Sequence, residues 1–156
     1  MTNLKKIFIL PGLFLFFLSC GYTPIFSKRD VNFSIENIEF LGNKDVKKKI
    51  NQALSIYKNK PGKTKQISLI ITNLKNITIV SKNSKGEAQT NKISVDVNVK
   101  IILAENRIVD NNFSKSSVYD VIDRKSEQKL IENKLIDNLS NEIALQIIFE
   151  ILKNTK

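Results

Sequence analysis

The stretch Lys92-Ile93-Ser94-Val95-Asp96-Val97-Asn98-Val99-Lys100-Ile101 decides the architecture. Ile93, Val95, Val97, Val99 and Ile101 are apolar and alternate with charged or polar residues. Successive side chains of a β-strand point to opposite faces, so this run predicts a strand with one face in a core and the other in water. β-Branched side chains suit that pleated surface. A sheet with one apolar face must bury it against a second layer, and the rest of the chain has to supply that layer.

Working outward, Ile67, Leu69 and Ile71 share one face of a preceding strand, with Ser68, Ile70, Thr72 and Leu74 on the other. That strand continues through Ile77, Ile79 and Val80 to a turn at Asn83-Ser84-Lys85-Gly86. Downstream, a turn at Ala104-Glu105-Asn106 leads to a strand over residues 107–119, polar enough to form a sheet edge. Further upstream Val31, Phe33 and Ile35 alternate, and Ile38 and Phe40 do so one step out of phase, which predicts a first strand with an irregularity near Asn37. Between the first two strands Asn43 can cap a helix whose apolar residues Val46, Ile50, Ala53, Leu54 and Tyr57 recur at helical spacing and which ends before Pro61-Gly62. At the end of the chain Leu130, Ile131, Leu135, Leu139, Ile143 and Ile147 form one face of a helix of roughly 25 residues, about 38 Å long, with Ser126 or Asp123 as its cap. Strand, helix, three meander strands and helix predict an α+β fold over residues 31–156. Its form is a two-layer α/β sandwich, with two helices packed on one face of a four-stranded sheet.

The chain has 156 residues, enough for one domain, and 42% of them are hydrophobic, which places it among globular rather than disordered sequences. Residues 1–19 read as a leader. Lys5 and Lys6 precede an apolar run over residues 7–18 that is broken by Pro11 and Gly12, followed by Ser19-Cys20-Gly21. Twelve helical residues rise about 18 Å, short of the roughly 30 Å of a bilayer's hydrocarbon core. Cys20 is the only cysteine, and Phe17-Leu18-Ser19-Cys20 resembles the bacterial lipobox, whose cysteine takes diacylglycerol on its sulfur before cleavage on its N-terminal side. Acylation there would use the one thiol that is otherwise unpaired in an oxidising compartment. It would also supply the two or more acyl chains that stable membrane anchoring needs. Gly21, where inner-membrane lipoproteins of the best-studied systems carry Asp, favours the outer membrane. Residues 20–30, polar and bearing Pro24, read as a lipidated tether.

The formal charge is +10, and losing Lys5 and Lys6 with the leader lowers it by two to +8. Such an excess favours an anionic partner. An exported, tethered protein does not meet nucleic acid, whereas a phosphorylated glycolipid lies in its own compartment. The basic residues cluster as Lys47-Lys48-Lys49, as Lys58, Lys60, Lys63 and Lys65, and near the two meander turns as Lys82, Lys85, Lys92 and Arg107. Histidine is absent, and no phosphate-binding glycine loop, HExxH or GxSxG pattern occurs. Glu132, Asp137 and Glu142 read as solvating charges of the last helix. The expectation is therefore a protein that is not an enzyme and uses no cofactor and no metal.

The segment Cys20-Gly21-Tyr22-Thr23-Pro24-Ile25-Phe26 resembles the start of mature lipoproteins of the LptE family, which often read Cys-Gly-aromatic-x-Pro-Leu-Tyr. The order of elements and the long last helix are similar too. The resemblance implies an outer-membrane lipoprotein that plugs and helps assemble the LptD β-barrel translocon and takes part in transport of lipopolysaccharide to the cell surface. It also implies lipopolysaccharide contacts from the sheet side and its turns, for which Lys82, Lys85, Lys92 and Arg107 are the candidates by position. Two other readings stay open on the residues alone: a lipid-anchored adaptor of another envelope complex, and a small envelope hydrolase.

Overall fold

A computed structural model of the chain describes residues 31–104 and 107–155. The leader, the tether with Cys20, and the turn residues Glu105 and Asn106 lie outside the described residues. The elements are β1 (Phe33–Gly42), α1 (Lys44–Ser55), β2 (Lys65–Lys82), β3 (Ala88–Ile102), β4 (Ile108–Asp120) and α2 (Lys125–Asn154). They build one mixed sheet of order β1-β2-β3-β4, with β1 parallel to β2 and the other pairs antiparallel. Helix α1 is the crossover between the parallel strands and packs beside α2 on the same face of the sheet, which gives the expected α+β sandwich.

The alternation of β3 is realised in full: Ile93, Val95, Val97, Val99 and Ile101 are all buried. Leu69 and Ile71 of β2 stand opposite Ile101 and Val99 and are buried with them. The layer above is α2, which buries Ile136, Leu139, Ser140, Ile143, Ala144, Ile147, Ile148 and Ile151 at steps of one, three and four residues. Each fully buried Leu, Ile or Val contributes roughly 1.5–3 kcal/mol of transfer free energy. Ser140 and Ala144, one turn apart, are small and fully buried.

Three expectations for α2 require correction. It spans 30 residues, about 45 Å at 1.5 Å per residue, and its N-cap is Arg124 with no side-chain cap bond, so neither Ser126 nor Asp123 caps it. Leu130 is 55% exposed rather than part of the buried face. At 3.6 residues per turn it lies about 120° around the helix from Ile136, where the buried stripe begins.

In β1, Ile35 pairs with Ile67 and Asn37 with Ser68, leaving Glu36 as the extra residue of a bulge. The bulge is the irregularity expected near Asn37. It returns Ile38 and Phe40 to the helix side, where both pack against the core. Asn43 caps α1 as expected, its Oδ1 accepting from the backbone N–H of Asp45 at 3.0 Å and of Val46 at 3.3 Å. After α1 the chain runs along the first half of the outer edge of β1. Ile35 N–H donates to the Tyr57 carbonyl, Asn59 N–H to the Ile35 carbonyl, and Lys60 N–H to Ser34 Oγ. The Tyr57 ring stacks on Phe33 at 5.4 Å between centroids.

Pairing with β1 stops at Asn73, while β2 runs on to Lys82. The crossover helix starts level with the end of β1, so among the described residues the far half of β2, still paired with β3, has no strand on its outer edge and no α1 above it. Ile77 stands opposite the buried Ile93, yet it is 43% exposed, and Ile79 is 55% exposed.

At Gly42 φ is +111°, and a Cβ placed there would lie 2.0 Å from the Asn73 carbonyl oxygen. Gly42→Ala combines a disfavoured backbone angle with a clash against main chain. It should therefore destabilise the domain by about 3 kcal/mol or more in urea unfolding. Gly86, with φ +82° and open space around it, should lose only about 1–2 kcal/mol on the same change.

Candidate functional site

The turn between β2 and β3 is organised by Asn83. Its Oδ1 accepts from the N–H of Lys85 and of Glu87, both at 3.0 Å, and its Nδ2 donates to the Glu87 carboxylate at 2.8 Å. Gly86 supplies the positive φ the turn requires. Lys82 and Lys85 are exposed at this tip, and Lys92 is exposed on the sheet face away from the helices, between Thr78 and Val118 of the neighbouring strands. Thr90, two residues before Lys92 on the same strand, donates to Asp120 at 3.3 Å. Val80 and Val118 are exposed there too. The hairpin end thus combines three ammonium groups with apolar side chains, a surface suited to an amphipathic anion.

Arg107 does not join this group. It precedes β4 at the opposite end of the sheet, ten residues of β3 beyond Lys92, or roughly 33 Å at 3.3 Å per residue. Its guanidinium donates to the Asn154 carbonyl at 2.9 Å, and Lys65 Nζ donates to the carbonyl of Thr155. Two cations thereby satisfy the last carbonyls of α2, where the helix dipole favours positive charge. The two meander turns lie at opposite ends of a long hairpin, so nearness to a turn does not place their cations together.

The carboxylates read as solvating charges have partners. Asp137 pairs with Lys49 of α1 at 2.7 Å, Glu142 pairs with Lys115 of β4 at 3.2 Å, and Glu132 accepts from the Tyr119 hydroxyl at 2.7 Å. They tie α2 to the elements on either side of it. Lys47 lies over the Phe40 ring, 5.7 Å from its centroid.

Among the described residues nothing covers the face away from the helices. Across its middle Asn98 donates to Asp110 at 2.6 Å and to Asn112 at 3.0 Å, and Ser114 donates to Asp96. With Thr72 and Leu74 the central residues line a shallow trough of about 350 Å³. These are the polar members of the alternation in β3 and β4. Their signal in the sequence was a water-facing side, with nothing to single out a trough. Among the described residues no helix is long and apolar enough to cross a membrane.

Several solved structures that share this fold are described as lipoproteins. Rare lipoprotein B from Shewanella oneidensis superposes with a TM-score of 0.53 at 12% identity, covering 76% of this chain and 98% of that one. Lipoprotein B from Nitrosomonas europaea gives 0.56 at 14% identity over 83% and 92% of the two chains. A minor lipoprotein from Acinetobacter baumannii gives 0.54 at 12% identity over 76% and 92%. At such identities the likeness establishes a shared fold. No protein-family model and no curated relative matches the sequence.

Burial and the hydrogen bond to Glu132 raise the Tyr119 hydroxyl above its ordinary value of 10.0. The folded state therefore holds the proton more tightly than the unfolded chain does. That contribution is complete below pH 10 and is lost as pH rises through the folded-state value. Chemical denaturation across alkaline pH should show stability falling above about pH 10, and Tyr119→Phe should remove part of the fall while costing about 1 kcal/mol at neutral pH.

Proposed function

We propose that this protein is a lipoprotein of the outer membrane that is anchored through acylated Cys20, is not an enzyme, and serves an LptD-type β-barrel as plug and assembly partner during lipopolysaccharide transport. The observation that carries the reading is a cysteine in a segment that resembles a lipobox, placed just ahead of a domain with the fold of rare lipoprotein B. A two-layer domain with one open sheet face suits a plug, because polar groups can line a wet lumen while the helices keep the core closed. The hairpin lysines support a role toward lipopolysaccharide, since lipid A phosphates would sit among Lys82, Lys85 and Lys92 and acyl carbons against Val80 and Val118.

Cys20→Ser should abolish labelling by a fatty-acid probe and leave unprocessed precursor, because lipidation precedes cleavage at a lipobox. The wild-type protein, purified from detergent-solubilised outer membrane, should bring down one dominant large β-barrel. A partner set without such a barrel would make it an adaptor of another complex. Normal processing of the Cys20→Ser protein would remove the anchor altogether.

Exposed ion pairs contribute about 0.2–1 kcal/mol each, so reversing Lys82, Lys85 and Lys92 together to Glu should weaken lipopolysaccharide binding several-fold to about a hundredfold. High salt should shrink the difference. The same reversal at the exposed Lys44, Lys47 and Lys48 of α1 alters net charge equally on a different element. Equal weakening by both triples would mean diffuse attraction rather than a hairpin site.

A further inference from the structure

We infer that the end of the domain carrying Val31, the loop after α1 and the C-terminus of α2 is a docking surface for the anionic phospholipid headgroups of the membrane that holds the anchor. The inference rests on the lipoprotein reading for the presence of that membrane, and on the fold for the surface itself.

Hydrogen bonds gather this end from three parts of the chain. Thr64 Oγ1 donates to Asn32, Lys65 N–H donates to the Asn32 carbonyl, and Lys65 and Arg107 bind the last carbonyls of α2. The result brings Lys58, Lys60, Lys63, Lys65, Arg107 and Lys153 to one end of the molecule. The carboxylates described nearby are Glu36 on the bulge, Glu150, which pairs with Lys153 at 3.6 Å, and Asp110, which accepts from Asn98. Positive charge dominates. Exposed apolar side chains flank it, with Ile56 at 58% on the α1 side and Ile108 at 60% at the start of β4. Lysines that reach headgroup phosphates, with a few aliphatic side chains between them, form the chemistry that holds a peripheral surface on an anionic bilayer.

The chain's own length selects this end. From Cys20 to Val31 the backbone spans at most about 40 Å when fully extended. The hairpin tip lies roughly 55 Å further away along the 18 residues of β2. An anchored molecule thus has its Lys58 end within about 40 Å of the bilayer, whereas the hairpin lysines can lie up to roughly 95 Å away.

The test uses the full lipidated protein in vesicles of phosphatidylcholine, with or without phosphatidylglycerol. A fluorophore is placed on Pro61→Cys or on Ser84→Cys, and quenching by headgroup spin-labelled lipid is read. The Pro61→Cys label should be quenched strongly only with phosphatidylglycerol present, and high salt should release it. Lys58→Glu, Lys60→Glu and Lys63→Glu together should lower the docked-to-free ratio by about tenfold or more. The Lys82, Lys85 and Lys92 reversal should leave it unchanged, and the Ser84→Cys label should stay unquenched throughout. Circular dichroism confirms that each triple variant folds, and the salt titration of the wild-type surface stands independently of them. Equal quenching of the Pro61→Cys label on both vesicle types, or equal loss from both triple variants, overturns the proposal. Mass spectrometry of Cys20 separates the two readings. An unmodified thiol ends the lipoprotein reading, while flotation that depends on phosphatidylglycerol and on Lys58, Lys60 and Lys63 would still uphold the surface.

Discussion

The domain depends on one packing contact, the apolar stripe of α2 laid over the alternating aliphatic residues of β3. Ile93 to Ile101 on the strand and Ile136 to Ile151 on the helix are shielded from water by each other, and the flanking strands and α1 complete the seal. Without that layer β3 would expose a continuous row of β-branched side chains, a feature that sheets do not leave uncovered. Because both helices are committed to one face, the opposite face stays open. All the surfaces proposed to meet partners lie on that face or at the ends of the sheet.

A second constraint is the length of β1. The crossover that carries α1 reaches only as far as Gly42, where the chain closes against the Asn73 carbonyl. Beyond that level β2, β3 and β4 continue as a three-stranded sheet, and Leu74, Ile77, Ile79 and Val80 are exposed along it. Among the described residues nothing pairs with the outer edge of β2 there, which leaves main-chain donors and acceptors next to apolar side chains.

Charges divide by position into groups that hold elements together and groups on exposed surfaces. Lys65 and Arg107 close the C-terminus of α2, while Lys49 and Lys115 answer Asp137 and Glu142. The hairpin lysines sit apart from these, on a different end and a different face. One net charge thus resolves into a clamp on a helix end, lateral ties of α2 to its neighbours, and two separated basic surfaces of different use.

The sequence by itself determined the elements and most of their buried sides. Alternation in β2 and β3 and the three-and-four spacing of Val46, Ile50 and Leu54 are local patterns, and the Asn43 cap and the Asn83 turn act within a few residues. Even the bulge at Glu36 was legible, because the phase of the apolar residues changes on either side of it. Tertiary structure alone decided what covers each periodic face. Ile77 and Ile79 continue the pattern of β2 but outrun the crossover helix, and Leu130 sits off the stripe that meets the sheet. It also decided where distant charges meet. Arg107 and Lys92 look alike in a one-dimensional reading, each near a turn, but the strand between them is rigid and extended, so it holds their charges at opposite ends. Periodicity follows from backbone geometry within a single element. Coverage and charge grouping follow from the relative lengths and directions of several elements, which no single stretch of sequence records.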